Sequence, residues 1–215
     1  MTPINYALER RNKDIVELFL ARGATVSTIY VAAFIGDLAK VKNFVDEGTD
    51  VNAGMAWRSG TALHFAANTE IAEFLITQGA NVNARDHENW TPLHYAAQRG
   101  DKDVVQLLLT RGADVNAKSF GETTALHLAV LNGYKNVVEL LIAHGANVNM
   151  KSPYGWTSLH SAVSRGDKDI VELLIDHGAD VNAKGEYIPT ALSIARDKNF
   201  DEIVGLLRKH GAEER

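Results

Sequence analysis

One phrase returns along this chain at a fixed interval, and that period constrains the fold more than any other feature. Four segments read almost alike: Thr61-Ala-Leu-His-Phe-Ala-Ala67, Thr91-Pro-Leu-His-Tyr-Ala-Ala97, Thr124-Ala-Leu-His-Leu-Ala-Val130 and Thr157-Ser-Leu-His-Ser-Ala-Val163. A fifth, Thr190-Ala-Leu-Ser-Ile-Ala195, lacks the histidine, and weaker copies begin at Thr2 and Ser27. From Thr91 onward the copies are 33 residues apart. A second phrase closes each unit, as in Gly79-Ala-Asn-Val-Asn83, Gly112-Ala-Asp-Val-Asn116, Gly145-Ala-Asn-Val-Asn149 and Gly178-Ala-Asp-Val-Asn182. A period of this length signals an array of small units that bury their apolar faces only against each other.

One unit can be read residue by residue. Thr91 is a good N-cap, and Pro92 follows at the first helical position, where its missing N–H costs nothing. Leu93, Ala96 and Ala97 give a short helix a face of small apolar groups, and Gly100 ends it. Asp101 caps a second helix in which Val104, Val105, Leu107 and Leu108 recur at helical spacing while Lys102, Asp103 and Gln106 face water. Gly112 stops that helix, and the stretch after it, rich in Asn, Asp, Ser and Gly, is turn material.

These phrases resemble the ankyrin repeat, and the resemblance covers essentially the whole chain. It implies an all-α solenoid of helix–turn–helix pairs joined by short β-hairpin fingers, stacked in a right-handed curve. About seven units in a single domain are expected, with approximate bounds 1–26, 27–60, 61–90, 91–123, 124–156, 157–189 and 190–215, the first and last acting as caps. The first unit is either an N-terminal cap or part of a longer protein. The spacing from Thr61 to Thr91 is 30, and the three missing residues map to the turn between the two helices. From Thr2 to Ser27 it is 25, so that a finger is missing between Val26 and Ser27.

Composition narrows the function. The net charge of −5 is spread along the chain, without the basic stripe of a nucleic-acid binder. With no cysteine there is neither a disulfide framework nor a thiolate metal site. No apolar run approaches the ~20 residues of a membrane-spanning helix, and the N-terminus lacks an apolar signal core. A cytoplasmic, monomeric protein that meets neither membrane nor nucleic acid is expected.

His64, His94, His127 and His160 form a ladder that invites a metal. Neighbouring helices are ~8–10 Å apart, too far for one zinc ion with bonds of about 2.0–2.1 Å to reach two rungs. No metal or other cofactor is therefore expected, and the resemblance implies that these histidines hydrogen-bond backbone between repeats. No GxSxG, HExxH or GxxxxGK[ST] motif occurs, which speaks against an enzyme.

The resemblance implies instead a module that binds a protein or peptide on the concave face lined by fingers and first-helix ends. Candidate contacts are the finger aromatics Trp57, Trp90, Phe120, Tyr154, Trp156 and Tyr187, aromatics being favoured anchors. Trp90 and Trp156, each just before a capping threonine, alternatively pack against a neighbouring finger. Arg10, Arg99 and Arg165 recur at the first-helix end, with Lys198 in the last unit, a basic row suited to an acidic, apolar partner. The finger asparagines Asn52, Asn83, Asn116, Asn149 and Asn182 suit turns; the resemblance also marks Asn83, Asn116, Asn149 and Asn182 as possible hydroxylation sites. Competing readings are an architectural spacer in a larger protein and a cryptic metal-dependent hydrolase.

Overall fold

In a computed structural model, residues 3–9, 12–55, 59–152, 155–184 and 189–213 are described. The chain divides into two compact units, Met1–Tyr95 with Gln106–Ala113 and Ala96–Val105 with Asp114–Arg215. Thirteen α-helices occur among the described residues, and none is long and apolar enough to cross a membrane.

The first unit opens with two helix pairs, α1 (Pro3–Glu9) with α2 (Lys13–Ala21) and α3 (Ile29–Ile35) with α4 (Leu38–Asp46). A single 3-10 turn, Ala62–Phe65, then precedes α5 (Thr69–Thr77). α1 packs on α3, α3 on the 3-10 turn and α4 on α5, so that like elements meet like. Asn12, Thr28, Asp37 and Asn68 each cap a helix by accepting the N–H of the residue three positions on. Leu8, Val16, Val31, Val41, Ile71 and Leu75 fill the core.

The three-residue loss after Thr61 falls elsewhere than expected. The turn between helices keeps its cap, Asn68, and the first helix itself gives up its last turn, shrinking to Ala62–Phe65. The amide of Ala67 donates instead to the Ala33 carbonyl of the preceding repeat, at 3.0 Å. A backbone group that loses its helical partner must find another. Between α2 and α3, residues 24–28 run directly into the next helix. An open hollow of about 180 Å³ there is lined by Pro3, Ile4, Phe19, Ala24, Thr25 and Ser27.

α6 (Pro92–Arg99) and α7 (Lys102–Thr110) follow, and the division between the two units runs through both. The second unit then continues with α8 (Ala125–Asn132), α9 (Lys135–Ala143), α10 (Ser158–Arg165), α11 (Lys168–Asp176), α12 (Ala191–Asp197) and α13 (Asp201–Lys209). α8, α10 and α12 pack side by side as one layer, and α9, α11 and α13 as another. Ala129, Ala162 and Ala195 are fully buried in the first layer, where small side chains permit close approach. The second layer buries one stripe per helix: Val137, Val138 and Leu141, then Ile170, Val171 and Leu174, then Ile203, Val204 and Leu207. Gly133 and Gly166 end α8 and α10 in the left-handed region, and Asn199 takes that conformation after α12 at φ 57°.

Candidate partner-binding face

The fingers are hairpin turns rather than strands. Among the described residues no strand forms, and a single isolated bridge joins Lys151 to Thr157. In the finger before α6, the amide of Asn89 donates to the Asp86 carbonyl at 2.9 Å and the amide of Asp86 to the Trp90 carbonyl at 2.9 Å. The finger before α8 repeats this with Glu122 on Ser119 and Ser119 on Thr123. Asn89 and Glu122 sit at φ 64° and 51°, the left-handed position that a three-residue hairpin loop requires. The loops are too short to continue the ladder, which is why the expected strands do not develop.

Each finger is tied to the next by an asparagine. The side-chain amides of Asn52, Asn83, Asn116, Asn149 and Asn182 donate to the carbonyls of Gly79, Gly112, Gly145, Gly178 and Gly211 at 2.8–3.1 Å. The Oδ1 atoms of Asn116, Asn149 and Asn182 accept the amides of Asn147, Asp180 and Glu213. Turn formation falls to the residue two positions earlier, as where Asp114 Oδ1 accepts the Asn116 amide. The asparagines are thus staples between repeats, and the expected turn chemistry belongs to their neighbours Asp114, Asn147 and Asp180.

The histidines sit behind the fingers. In each of His64, His94, His127 and His160, Nδ1 accepts the backbone N–H of the threonine three residues earlier at 3.0–3.3 Å. That leaves the proton on Nε2, which in His64 and His127 donates to the carbonyls of Trp90 and Met150, both at 3.1 Å. Burial pushes the His64 pKa down to about 4, against the opposing pull of the Trp90 carbonyl and the Asp86 charge. Burial also lowers His127 and His160, helped by Lys118 and Lys151 respectively. Further out, His144 and His177 donate Nδ1–H to the carbonyls of Leu140 and Leu173 at helix C-termini. No group of three or more metal-ligating side chains converges among the described residues.

The aromatics divide. Trp57, Tyr154 and Tyr187 lie outside the described residues, as does Arg10. Trp90 is half-buried, edge-on to Tyr95 and tilted over His94, with ring centroids 5.7 Å away in each case. It belongs to an aromatic chain that continues through Tyr95 to Phe65 and Tyr30. The hydroxyl of Tyr95 donates to the buried Asp86 carboxylate at 2.8 Å. Trp156 is half-buried too, its Nε1–H bonded to Ser161 Oγ at 2.8 Å and its ring against His160. Both tryptophans pack on the helix that follows them. Phe120 does not: at the tip of its finger it is 76% exposed. Leu131, in the last turn of α8, is 56% exposed and was not anticipated. An apolar residue at the place held by Gln98 and Ser164 in sister repeats is the signal that marks it.

The row of basic helix ends is engaged within the fold. Arg99 pairs with Asp101. Arg165 Nη1 donates to the Leu131 carbonyl at 2.8 Å and Lys198 Nζ to the Ser164 carbonyl at 2.7 Å. Each thereby caps the C-terminal end of the preceding first helix, where a cation is favoured. A second basic row was missed: Lys118, Lys151 and Lys184 are exposed and stand two residues after the stapling Asn116, Asn149 and Asn182. Their 33-residue spacing is plain in the sequence once the finger register is known.

Comparison with known proteins accords with this geometry. The family model described as ankyrin repeats (3 copies) matches residues 28–119 and 116–185. Among relatives, the RelA-associated inhibitor of Mus musculus is 43% identical over 76 residues, 34% of this chain and 9% of that protein. Protein phosphatase 1 regulatory subunit 12A of Mus musculus is 37% identical over 70 residues, 31% of this chain and 7% of its own length. A putative ankyrin repeat protein of fowlpox virus, FPV244, is 36% identical over 107 residues, 45% of this chain and 15% of that protein. The chain therefore spans only a small part of the relatives it matches.

Proposed function

The chain belongs to the ankyrin-repeat family, and from that premise we propose that it binds a protein or peptide through the fingers and first helices of its second unit, without chemistry of its own. Ankyrin repeats are in general protein-interaction modules, and relatives named above carry regulatory or inhibitory names. The observation that carries the reading is the pair Phe120 and Leu131, large apolar side chains left in water where finger and first helix meet the solvent. Neither contributes to the core, and burying each against a partner is worth about 1.5–3 kcal/mol. Central apolar anchors of this kind dominate binding energy at protein interfaces.

The absence of catalysis in this reading is supported by the histidines. In His64 and His127 both ring nitrogens are committed to a threonine and a backbone carbonyl, so neither is placed to move a proton to a substrate. Affinity capture from the native organism with the parent chain and with Phe120→Ala/Leu131→Ala tests the proposal. A protein retained by the parent and lost by the double variant, with thermal melts alike, is the expected outcome. The same proteins on both columns would count against it.

A further inference from the structure

The face that carries Phe120 has a periodic charge pattern of its own. The asparagine staples hold successive fingers of the second unit in one register, and each lysine of the row stands two residues beyond a staple. Lys118, Lys151 and Lys184 therefore repeat at the spacing of adjacent repeats, ~8–10 Å. Lys151 Nζ reaches the backbone carbonyl of Lys184 at 3.0 Å, which places its ammonium between two fingers with further N–H groups to offer. Glu122 lies beside Lys118 at 3.6 Å. Other acidic side chains of this unit stand on the second helices, where Asp169 and Glu202 pair with Lys135 and Lys168 and where Glu139 and Glu172 are exposed, while Asp114 and Asp180 are exposed in the fingers themselves.

We propose that the segment bound here is an extended peptide with carboxylates about three residues apart and a large apolar side chain that seats on Phe120 and Leu131. This inference rests on the binding reading above and names the partner's chemistry. A polyproline II segment rises ~3.1 Å per residue with three residues per turn, so every third side chain returns to the same face ~9 Å on and meets the next lysine. That match recommends a polyproline II-like segment over a β-strand, whose alternating side chains would turn every second carboxylate away. It also recommends it over an α-helix, which rises 1.5 Å per residue and would place about six residues between lysines. A nucleic acid fits less well. Polyanion binding draws on many phosphate contacts, and the chain's net charge of −5 opposes a long polyanion while leaving a short peptide able to use the row.

The test is panning of short random peptides displayed on phage against the full chain, with the best sequences resynthesised for titration. The parent should enrich Asp or Glu at three-residue intervals beside Leu, Ile, Phe or Trp. Those peptides should bind about tenfold or more weakly to Lys118→Glu/Lys151→Glu/Lys184→Glu, and more weakly at raised salt, as charge steering requires. The lysine-to-glutamine triple variant should lose affinity as well, with thermal melts reporting that both variants fold. Neutral or basic winners, equal affinity for the triple variants, or equal affinity for a single-stranded oligonucleotide would overturn the inference. If such winners still weaken with Phe120→Ala, the binding face stands and only the acidic partner falls. If no winner responds to Phe120→Ala or Leu131→Ala, both readings fall.

Discussion

Acidifying the protein from pH 7 to pH 5 should destabilise it through His64. The ring is neutral in the fold because burial disfavours the cation, which sets its pKa at about 4 against an ordinary 6.5, and its Nδ1 accepts the Thr61 amide. The unfolded chain therefore binds the proton first. Stability from this group is complete above pH 6.5 and drains away as pH falls towards 4. Proton linkage with these two values gives a loss of about 2 kcal/mol at pH 5 and about 3 kcal/mol near pH 4. His127 and His160, also lowered by burial, act in the same direction. Urea unfolding at the two pH values, for the parent and for His64→Gln, isolates the one residue. The variant is less stable at pH 7, but its additional loss on going to pH 5 should be smaller than the parent's by about 2 kcal/mol. Equal losses in the two proteins would refute the assignment of the neutral ring.

Further outcomes follow from single contacts. Asn149→Ala removes the bonds to the Gly178 carbonyl and the Asp180 amide; chemical denaturation should show a loss of about 1–2 kcal/mol, since both groups can turn to water. An unchanged midpoint would mean that the staples contribute nothing. Glu122→Gly should stabilise by about 0.5–1 kcal/mol, because a side chain at φ 51° is strained and its exposed pairing with Lys118 is worth little. Gly155→Ala, at φ 85°, should shift the melt the other way by a similar amount. Gly100→Ala should be worse, as its Cβ would lie 2.8 Å from the Tyr134 ring, and Tyr134→Ala should relieve that part of the loss in a double-variant melt.

Much of the fold was legible because each unit restates the same local instructions. Capping Thr or Asp, helix-ending Gly and the i, i+1, i+4 stripe are short-range signals, and repetition removes their ambiguity. What could not be read depended on neighbours. The partner of Asn116 is a carbonyl 29 residues away, so its staple role had no local trace and it read only as a turn residue. Alignment of residues 67–71 with 97–104 of the next unit puts the three-residue loss after Thr61 in the inter-helix turn. The fold instead kept the Asn68 cap and spent a turn of helix, which the Ala33 carbonyl makes acceptable. Arg165 and Lys198 read as a partner-facing row because the resemblance puts first-helix ends on the binding face, yet each reaches a C-terminal carbonyl of the preceding first helix. Trp90 and Phe120 sit in neighbouring fingers, and nothing local separates the packed ring from the exposed one. Tyr95 and Asp86 make that difference, by giving Trp90 an aromatic and hydrogen-bonded bed.

The most direct test is amide hydrogen exchange of the full chain with and without a captured partner or selected peptide. Slowed exchange in the finger at 117–123 and in the last turn of α8, with α9 and α11 unchanged, is the predicted footprint. Protection confined to the outer helices α9 and α11, with that finger exchanging as before, would contradict it.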